Sequence, residues 1–168
     1  QLMLLNNEGL SVQTQDPIST VCTFLHDGKI VAIKGLGGYH LACDALNSKS
    51  VSLLRKRKYR EDKPFAVMME NIETVKESGL QLVMTSGNVS DEPIAYKDNE
   101  ALERLKGIAD YFLVHDREIF MRCDDSVVKV VEDEEMIIRR SRGYAPFPVK
   151  LQYSFPKPVL ACGAFLKN

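Results

Sequence analysis

The run RKRKYR, Arg55 to Arg60, places five cations in six residues, and Lys63 follows. Cations at the end of a surface helix complement its dipole, each by about 0.3–1 kcal/mol, but so many exceed what capping requires. Their mutual repulsion calls for a counter-anion, which a triphosphate or an RNA backbone would supply. The stretch TSGN offers the Ser86 hydroxyl, the Asn88 amide and turn backbone N–H groups. That is a nest for a phosphate or a small acyl group, although the same residue types make ordinary turns. RCDDSVV sets Arg122, Asp124 and Asp125 just before a strand, where the two carboxylates either hold Mg2+ beside a nucleotide or serve as salt-bridged loop residues. RRSRGY adds Arg139, Arg140 and Arg142 as a second phosphate contact or a solvated end. KGLGGYHLACDA, residues 34–45, packs three glycines with Lys34, Tyr39 and His40. A backbone that a ligand can approach closely, with a cation, a stacking ring and a hydrogen bond beside it, is one reading; a turn packing strand on helix is the other.

Familiar phosphate motifs are excluded. G-x-x-x-x-G-K-[ST] is absent, and G-x-G-x-x-G fails because His40 stands where the third glycine belongs. His26 and His115 are isolated in the sequence, and no Ser/His/Asp or Cys/His arrangement stands out. Cations, hydroxyls and amides stabilise phosphoryl charge rather than attack, so nucleotide-dependent activation of a small acid fits better than hydrolysis.

With 168 residues, 45% of them apolar, the chain is sized for one buried core. A net charge of -1 argues against a protein that coats nucleic acid and requires any anion site to be focused. Four cysteines without a C-x-x-C pair give no zinc or redox motif, and reduced thiols in a cytoplasmic protein are expected. No apolar run approaches the roughly 20 residues of a membrane span.

Elements must position these groups. Asp16-Pro17 starts a helix that Gly28 closes, and KIVAIK reads as a buried strand entering the glycine-rich loop. Asn47 or Ser48 caps a helix carrying Val51 and Leu54 and ending in the basic run. PFAVMM is expected as a buried strand and LQLVMTSGN as a strand breaking into the Ser-Gly-Asn turn. Residues 97–107 read as a helix capped by Asp98 and DYFLV as a strand; SVVKVV and MIIRR flank the acidic turn EDEE as a hairpin. Strands alternating with helices and closing on a hairpin imply a mixed α/β sheet.

In this order, KGLGGYHLACDA, RKRKYREDKPFAVM, MTSGNVSDEPI, HDREIFMRCDDSVV and RRSRGYAP closely resemble the YrdC-like domain of the HypF carbamoyltransferases, the family that matures nickel–iron hydrogenases. The resemblance covers nearly the whole chain. It implies an α/β fold, a YrdC-like twisted mixed open sheet with flanking helices and a concave basic surface, over residues 1–150. Residues 151–168 would be a linker and the truncated start of a following transferase domain. The activity implied is adenylation of carbamate with ATP and Mg2+ to carbamoyl-AMP, releasing pyrophosphate. Carbamate would come from carbamoyl phosphate hydrolysed upstream, and other domains of the same HypF chain would pass the carbamoyl group to HypE. The family's K-x-R and S-x-N signature falls on Lys58, Arg60, Ser86 and Asn88. Lys58 and Arg60 are thereby expected to neutralise phosphates, and Ser86 and Asn88 to hold the α-phosphate and acyl end. Tyr39 would line the pocket, with Ser126, Arg140 and Ser141 on the nucleotide.

The chain also departs from the family. Gln1 is expected to fall just after the family's zinc-finger modules, and a family segment of several tens of residues is missing between Gly79 and Leu80. The segment is either deleted or part of a longer chain, with the second favoured. The tRNA branch of the same fold makes threonylcarbamoyl-adenylate, but its usual loop and SAN motif differ from the KGLGGYHLACDA and SGN found here. A non-enzymatic RNA-binding module is the remaining alternative; the net charge and the Ser-Gly-Asn nest argue against it.

Overall fold

The computed structural model describes residues 1–69, 71, 73 and 81–160. The expected break between Gly79 and Leu80 and most of the LACGAFLKN tail lie outside the described residues. Two compact units divide the chain, Gln1–Arg122 and Cys123–Asn168.

The first unit is built on a six-stranded mixed sheet. Its strands are β1 (Leu2–Asn6), β2 (Val31–Lys34), β3 (Tyr39–Asp44), β4 (Val67–Met68), β5 (Leu82–Ser86) and β6 (Tyr111–His115), in the spatial order β1-β6-β2-β3-β5-β4. β2 and β6 run parallel; every other pair is antiparallel. Because successive strand side chains point to opposite faces, Val31 and Ala42 join Leu4, Val21 and Leu25 in one cluster, while Ala32, Leu41 and Cys43 join Leu54, Ala101 and Leu105 in another.

Helix α1 (Pro17–His26) therefore covers one face, with Phe24 stacked on Tyr111 at 4.0 Å between ring centroids. Helices α2 (Ser48–Arg57) and α3 (Asp98–Leu105) cover the other. Burying side chains such as Leu25, Leu54 and Leu105 stabilises the layers by about 1.5–3 kcal/mol each. α1 starts as expected, with the Asp16 carboxylate accepting from the N–H groups of Ile18 and Ser19. α2 starts at Asn47, whose side-chain oxygen accepts from Lys49 and Ser50 N–H at 3.1 and 3.2 Å.

Three expectations need correction. YHLACD is not loop but strand β3, so GLGG is the short connection of a β2–β3 hairpin. PFAVMM contributes only two strand residues, half-exposed rather than in the core, because among the described residues β4 pairs with β5 alone. Asp98 is the first residue of α3 and not its cap; Lys97 occupies that position without a side-chain bond, and the Asp98 carboxylate is engaged elsewhere.

The second unit holds a hairpin of β7 (Val127–Val131) and β8 (Glu134–Arg139), joined through Glu132 and Asp133. Both turn residues have positive φ, 51° and 63°, the backbone that matches the twist of a two-residue hairpin.

Among the described residues Cys22, Cys43 and Cys123 are free thiols. Burial first, and then the Asp44 charge, push the Cys43 thiol up to about 12. An alkylating reagent at pH 8 is expected to modify exposed Cys22 in the folded protein and Cys43 only after unfolding, as mass spectrometry of the labelled peptides would show. Asn47→Ala removes the α2 cap and is expected to cost about 1 kcal/mol, measured as a lower urea midpoint.

Candidate functional site

The basic helix end and the Ser-Gly-Asn turn, 30 residues apart, meet at Lys58. Its side chain is 1% exposed. The ammonium donates to Ser86 O and Asn88 O at 2.6 Å each and to Asn88 Oδ1 at 2.8 Å. The Ser86 hydroxyl donates to the same Oδ1 at 2.6 Å, and Asn88 Nδ2 donates to Glu92 O at 2.5 Å. Ser90 N–H closes the ring onto Lys58 O at 3.0 Å. One buried cation thus shapes the whole 86–92 turn. Gly87 is required there, since a Cβ would lie 2.6 Å from Tyr39 O.

The expected nest of backbone N–H groups is not open in this arrangement. Gly87 N–H goes to Tyr39 O and Asn88 N–H to Ser86 O. What the turn does carry is a buried hydroxyl, Ser90 Oγ, with no hydrogen-bond partner among the described residues.

The other cations of the run are largely engaged internally, which is how so many coexist. Arg55 donates to the carbonyls of Arg60, Glu61 and Lys63. Arg57 pairs with Asp110 at 2.8 Å and bonds Ile108 O. Tyr59, at φ 53°, turns the chain so that Lys58 points inward while the Tyr59 ring is 77% exposed. Arg60 bonds the carbonyls of Lys63 and Pro64, and the Arg55 and Arg60 guanidiniums lie 4.8 and 5.0 Å from the Phe65 centroid. Partial burial, and then the like charge of Arg55, lower the Arg60 pKa against a smaller opposing pull from Asp91. A bound anion would relieve that repulsion.

Lys34 and Tyr39 do not present a cation and a stacking ring to an open pocket. Lys34 is 6% exposed and pairs with Asp98 at 2.8 Å and with His115 O at 3.0 Å; Tyr39 is fully buried, its hydroxyl 2.7 Å from Asp98. Burial first, and then the bond to Asp98, raise the Tyr39 pKa. The glycines follow the packing reading, since a Cβ on Gly38 would lie 2.6 Å from Ile94 Cδ1. His40, half-buried, is the direct cross-strand partner of Ser86 and therefore shares its face. Sequence reasoning missed Asp98 as the shared receiver, and Arg55 with Phe65 as the brace of Arg60. The i, i+5 spacing of Arg55 and Arg60 around a tight turn was the available signal.

In the second unit, Ser126 Oγ donates to Arg142 O and accepts from Ser141 N–H, and Cys123 Sγ lies 3.2 Å from Ser141 Oγ. Arg140 donates to the carbonyls of Tyr144 and Phe147. Arg142 grips Asp125 Oδ1 through two nitrogens at 3.0 and 3.2 Å. These residues cross-link the end of the hairpin to the segment after it. With Asp125 paired, and no cluster of three His, Cys, Asp or Glu side chains among the described residues, Asp124 and Asp125 do not fit a protein-built Mg2+ site. Arg122 is exposed at the end of the first unit.

A mixed α/β domain with a polar turn held by a buried lysine is the class that fold and site define. The model of the Sua5–YciO–YrdC family, described as telomere recombination, matches residues 23–81 and 75–141. The chain belongs to that family. It is 38% identical to carbamoyltransferase HypF2 of Cupriavidus necator over 242 aligned positions, which take in 99% of this chain and 30% of the relative. The chain therefore spans less than a third of that protein's length. The crystal structure of full-length HypF in its phosphate- and nucleotide-bound form matches with a TM-score of 0.82 at 37% identity, over 90% of this chain and 27% of that one. P. abyssi Sua5, at 16% identity and a TM-score of 0.60 over 74% of this chain and 56% of that one, shares the fold. No described helix is long and apolar enough to cross a membrane.

Lys58→Met keeps the buried stem but withdraws the ammonium from three oxygens of the turn, of which Ser86 O and Asn88 Oδ1 keep a second donor in Asn88 N–H and the Ser86 hydroxyl. It is expected to destabilise the fold by about 1–3 kcal/mol, read as a lower urea midpoint at unchanged m-value.

Proposed function

We propose that this chain is the carbamoyl-adenylate-forming part of a HypF-type carbamoyltransferase. The observation that carries the reading is the convergence of Lys58, Ser86 and Asn88 in one hydrogen-bonded hub, beside Arg60 and its lowered pKa. The likeness to a HypF crystallised with nucleotide supports it.

In the proposed reaction a carbamate oxygen attacks the α-phosphorus of ATP. The bond from that phosphorus to the bridging oxygen breaks, and pyrophosphate leaves with the electron pair, giving carbamoyl-AMP. Arg60 neutralises phosphate charge directly. Lys58 acts as a fixed positive charge beneath the turn, a preorganised source of potential that needs no rearrangement during reaction. Ser86 and Asn88 hold the α-phosphate and acyl end. Mg2+ travels with ATP, since magnesium characteristically keeps waters and phosphate oxygens among its ligands. Carbamate from carbamoyl phosphate, transfer by other domains of the same chain, HypE as acceptor and a cytoplasmic setting complete the proposal. Contacts from Ser126, Arg140 and Ser141 require those groups to exchange an internal bond for one to the nucleotide.

Calorimetric titration with Mg-ATP is expected to show binding that Arg60→Ala weakens by about tenfold, worth about 1.4 kcal/mol, with Lys58→Ala also slowing adenylation. Pyrophosphate release is expected to require carbamate. A requirement for threonine instead would assign the chain to threonylcarbamoyl-adenylate synthesis, and steeply salt-dependent RNA binding without ATP binding would assign it to RNA.

A further inference from the structure

Arg55 and Arg60 are packed together without a carboxylate between them. Arg55 Nη1 and Arg60 Nε donate to the same oxygen, Lys63 O, at 3.1 and 3.0 Å, and both guanidiniums lie against the Phe65 ring. Both arginines are half-buried. Elsewhere Arg57, Arg104 and Arg142 each meet a carboxylate within 3.0 Å, whereas neither Arg55 nor Arg60 has an ion pair among the described residues. Asp91 acts on Arg60 only through its field, against the partial burial and the Arg55 charge that lower its pKa. Carbonyl oxygens orient these two cations but carry no charge with which to neutralise them.

The bonds already made leave a particular set of N–H groups over. A guanidinium can grip an oxyanion by either of two edges, one formed by Nε and Nη2 and one by the two Nη nitrogens. Arg55 uses Nη1 for the carbonyls of Arg60, Glu61 and Lys63, so its Nε–Nη2 edge has no partner among the described residues. Arg60 is turned the other way. Its Nε and Nη2 bond the carbonyls of Lys63 and Pro64, which leaves the edge that carries Nη1. Two forks of different kinds thus stand on guanidiniums that share one carbonyl and one aromatic ring.

We propose that Arg55 is a second phosphate-binding residue and that it forms, with Arg60, a two-fork site for a diphosphate group, one phosphoryl to each arginine. A diphosphate joins two anionic phosphoryls through one oxygen, which suits paired forks better than a lone tetrahedral anion does. Its charge also offsets the repulsion that the carbonyls leave in place. That this diphosphate is the part of ATP released as pyrophosphate rests on the carbamoyl-adenylate reading; the fork geometry is independent of it.

The test follows the side-chain Nε–H resonances of Arg55 and Arg60 in the full chain, each assigned through its own side-chain carbons, while sodium pyrophosphate is added without nucleotide at fixed ionic strength. Both are expected to shift with a single dissociation constant, Arg55 the more because its Nε–H gains a bond. Sulfate is expected to bind about tenfold more weakly. Arg55→Lys keeps the charge but not the fork, and is expected to weaken pyrophosphate binding by about tenfold; should it fail to fold, the wild-type resonances still decide. Pyrophosphate that moves Arg60 alone, or neither arginine, would overturn the proposal, as would sulfate that binds equally well. Pyrophosphate that moves both in a chain unable to bind Mg-ATP would leave the site standing and remove the adenylation reading. Mg-ATP binding with Arg55 unmoved by either ligand would do the reverse.

Discussion

An ammonium taken almost wholly out of water must be surrounded by oxygen or it will not stay charged there, and the end of β5 is arranged around that requirement. Lys58 reaches three oxygens of the 86–88 turn. The turn in turn fixes Gly87 against Tyr39, through Gly87 N–H to Tyr39 O, and ties in the 94–95 segment through Ala95 N–H to Gly87 O. Tyr39 passes the constraint on to Asp98, which also holds Lys34. Helix α2, hairpin β2–β3, strand β5 and helix α3 are thereby joined by one chain of polar contacts running beside the apolar core. Loosening its first member frees the carbonyls of the turn as well as the lysine.

This economy of cations explains why a chain with a net charge of -1 tolerates so dense a basic run. Arg55 and Arg57 hold backbone carbonyls and Asp110, and Lys58 holds the turn. Arg60 differs in being paired with carbonyls of its own loop while sharing Phe65 with a second guanidinium. Burial and the like charge of Arg55 together lower the Arg60 pKa.

The order of helices and strands was legible because caps and apolar runs are local signals: Asp16-Pro17, Asn47, KIVAIK and DYFLV each announce an element within a few residues. β1 and β3 escaped notice for the opposite reason. LMLLN, though closed by the Asn6–Gly9 turn, is a short continuous apolar run whose periodicity does not separate strand from helix, and YHLACD mixes polar with apolar residues because its two faces meet different neighbours. The signature residues of the site were legible only through resemblance, since a lysine that binds carbonyls looks in sequence like a lysine that binds phosphate. The roles of Lys34, Tyr39 and Ser126 depended on partners 15 to 81 residues away, which spacing along the chain does not reveal.

The position of β6 in the sheet bears on how the protein is made. It lies between β1 and β2, pairing Leu2 with His115 on one side and Val31 with Tyr111 on the other. On a ribosome adding about 5–20 residues per second, β1 and β2 would wait on the order of ten seconds for the strand that separates them. During that interval the β2–β3 hairpin can form, but the apolar faces that α1 will cover have no complete sheet to rest on. A nascent chain of this topology keeps those faces uncovered until residue 115 has cleared the exit tunnel.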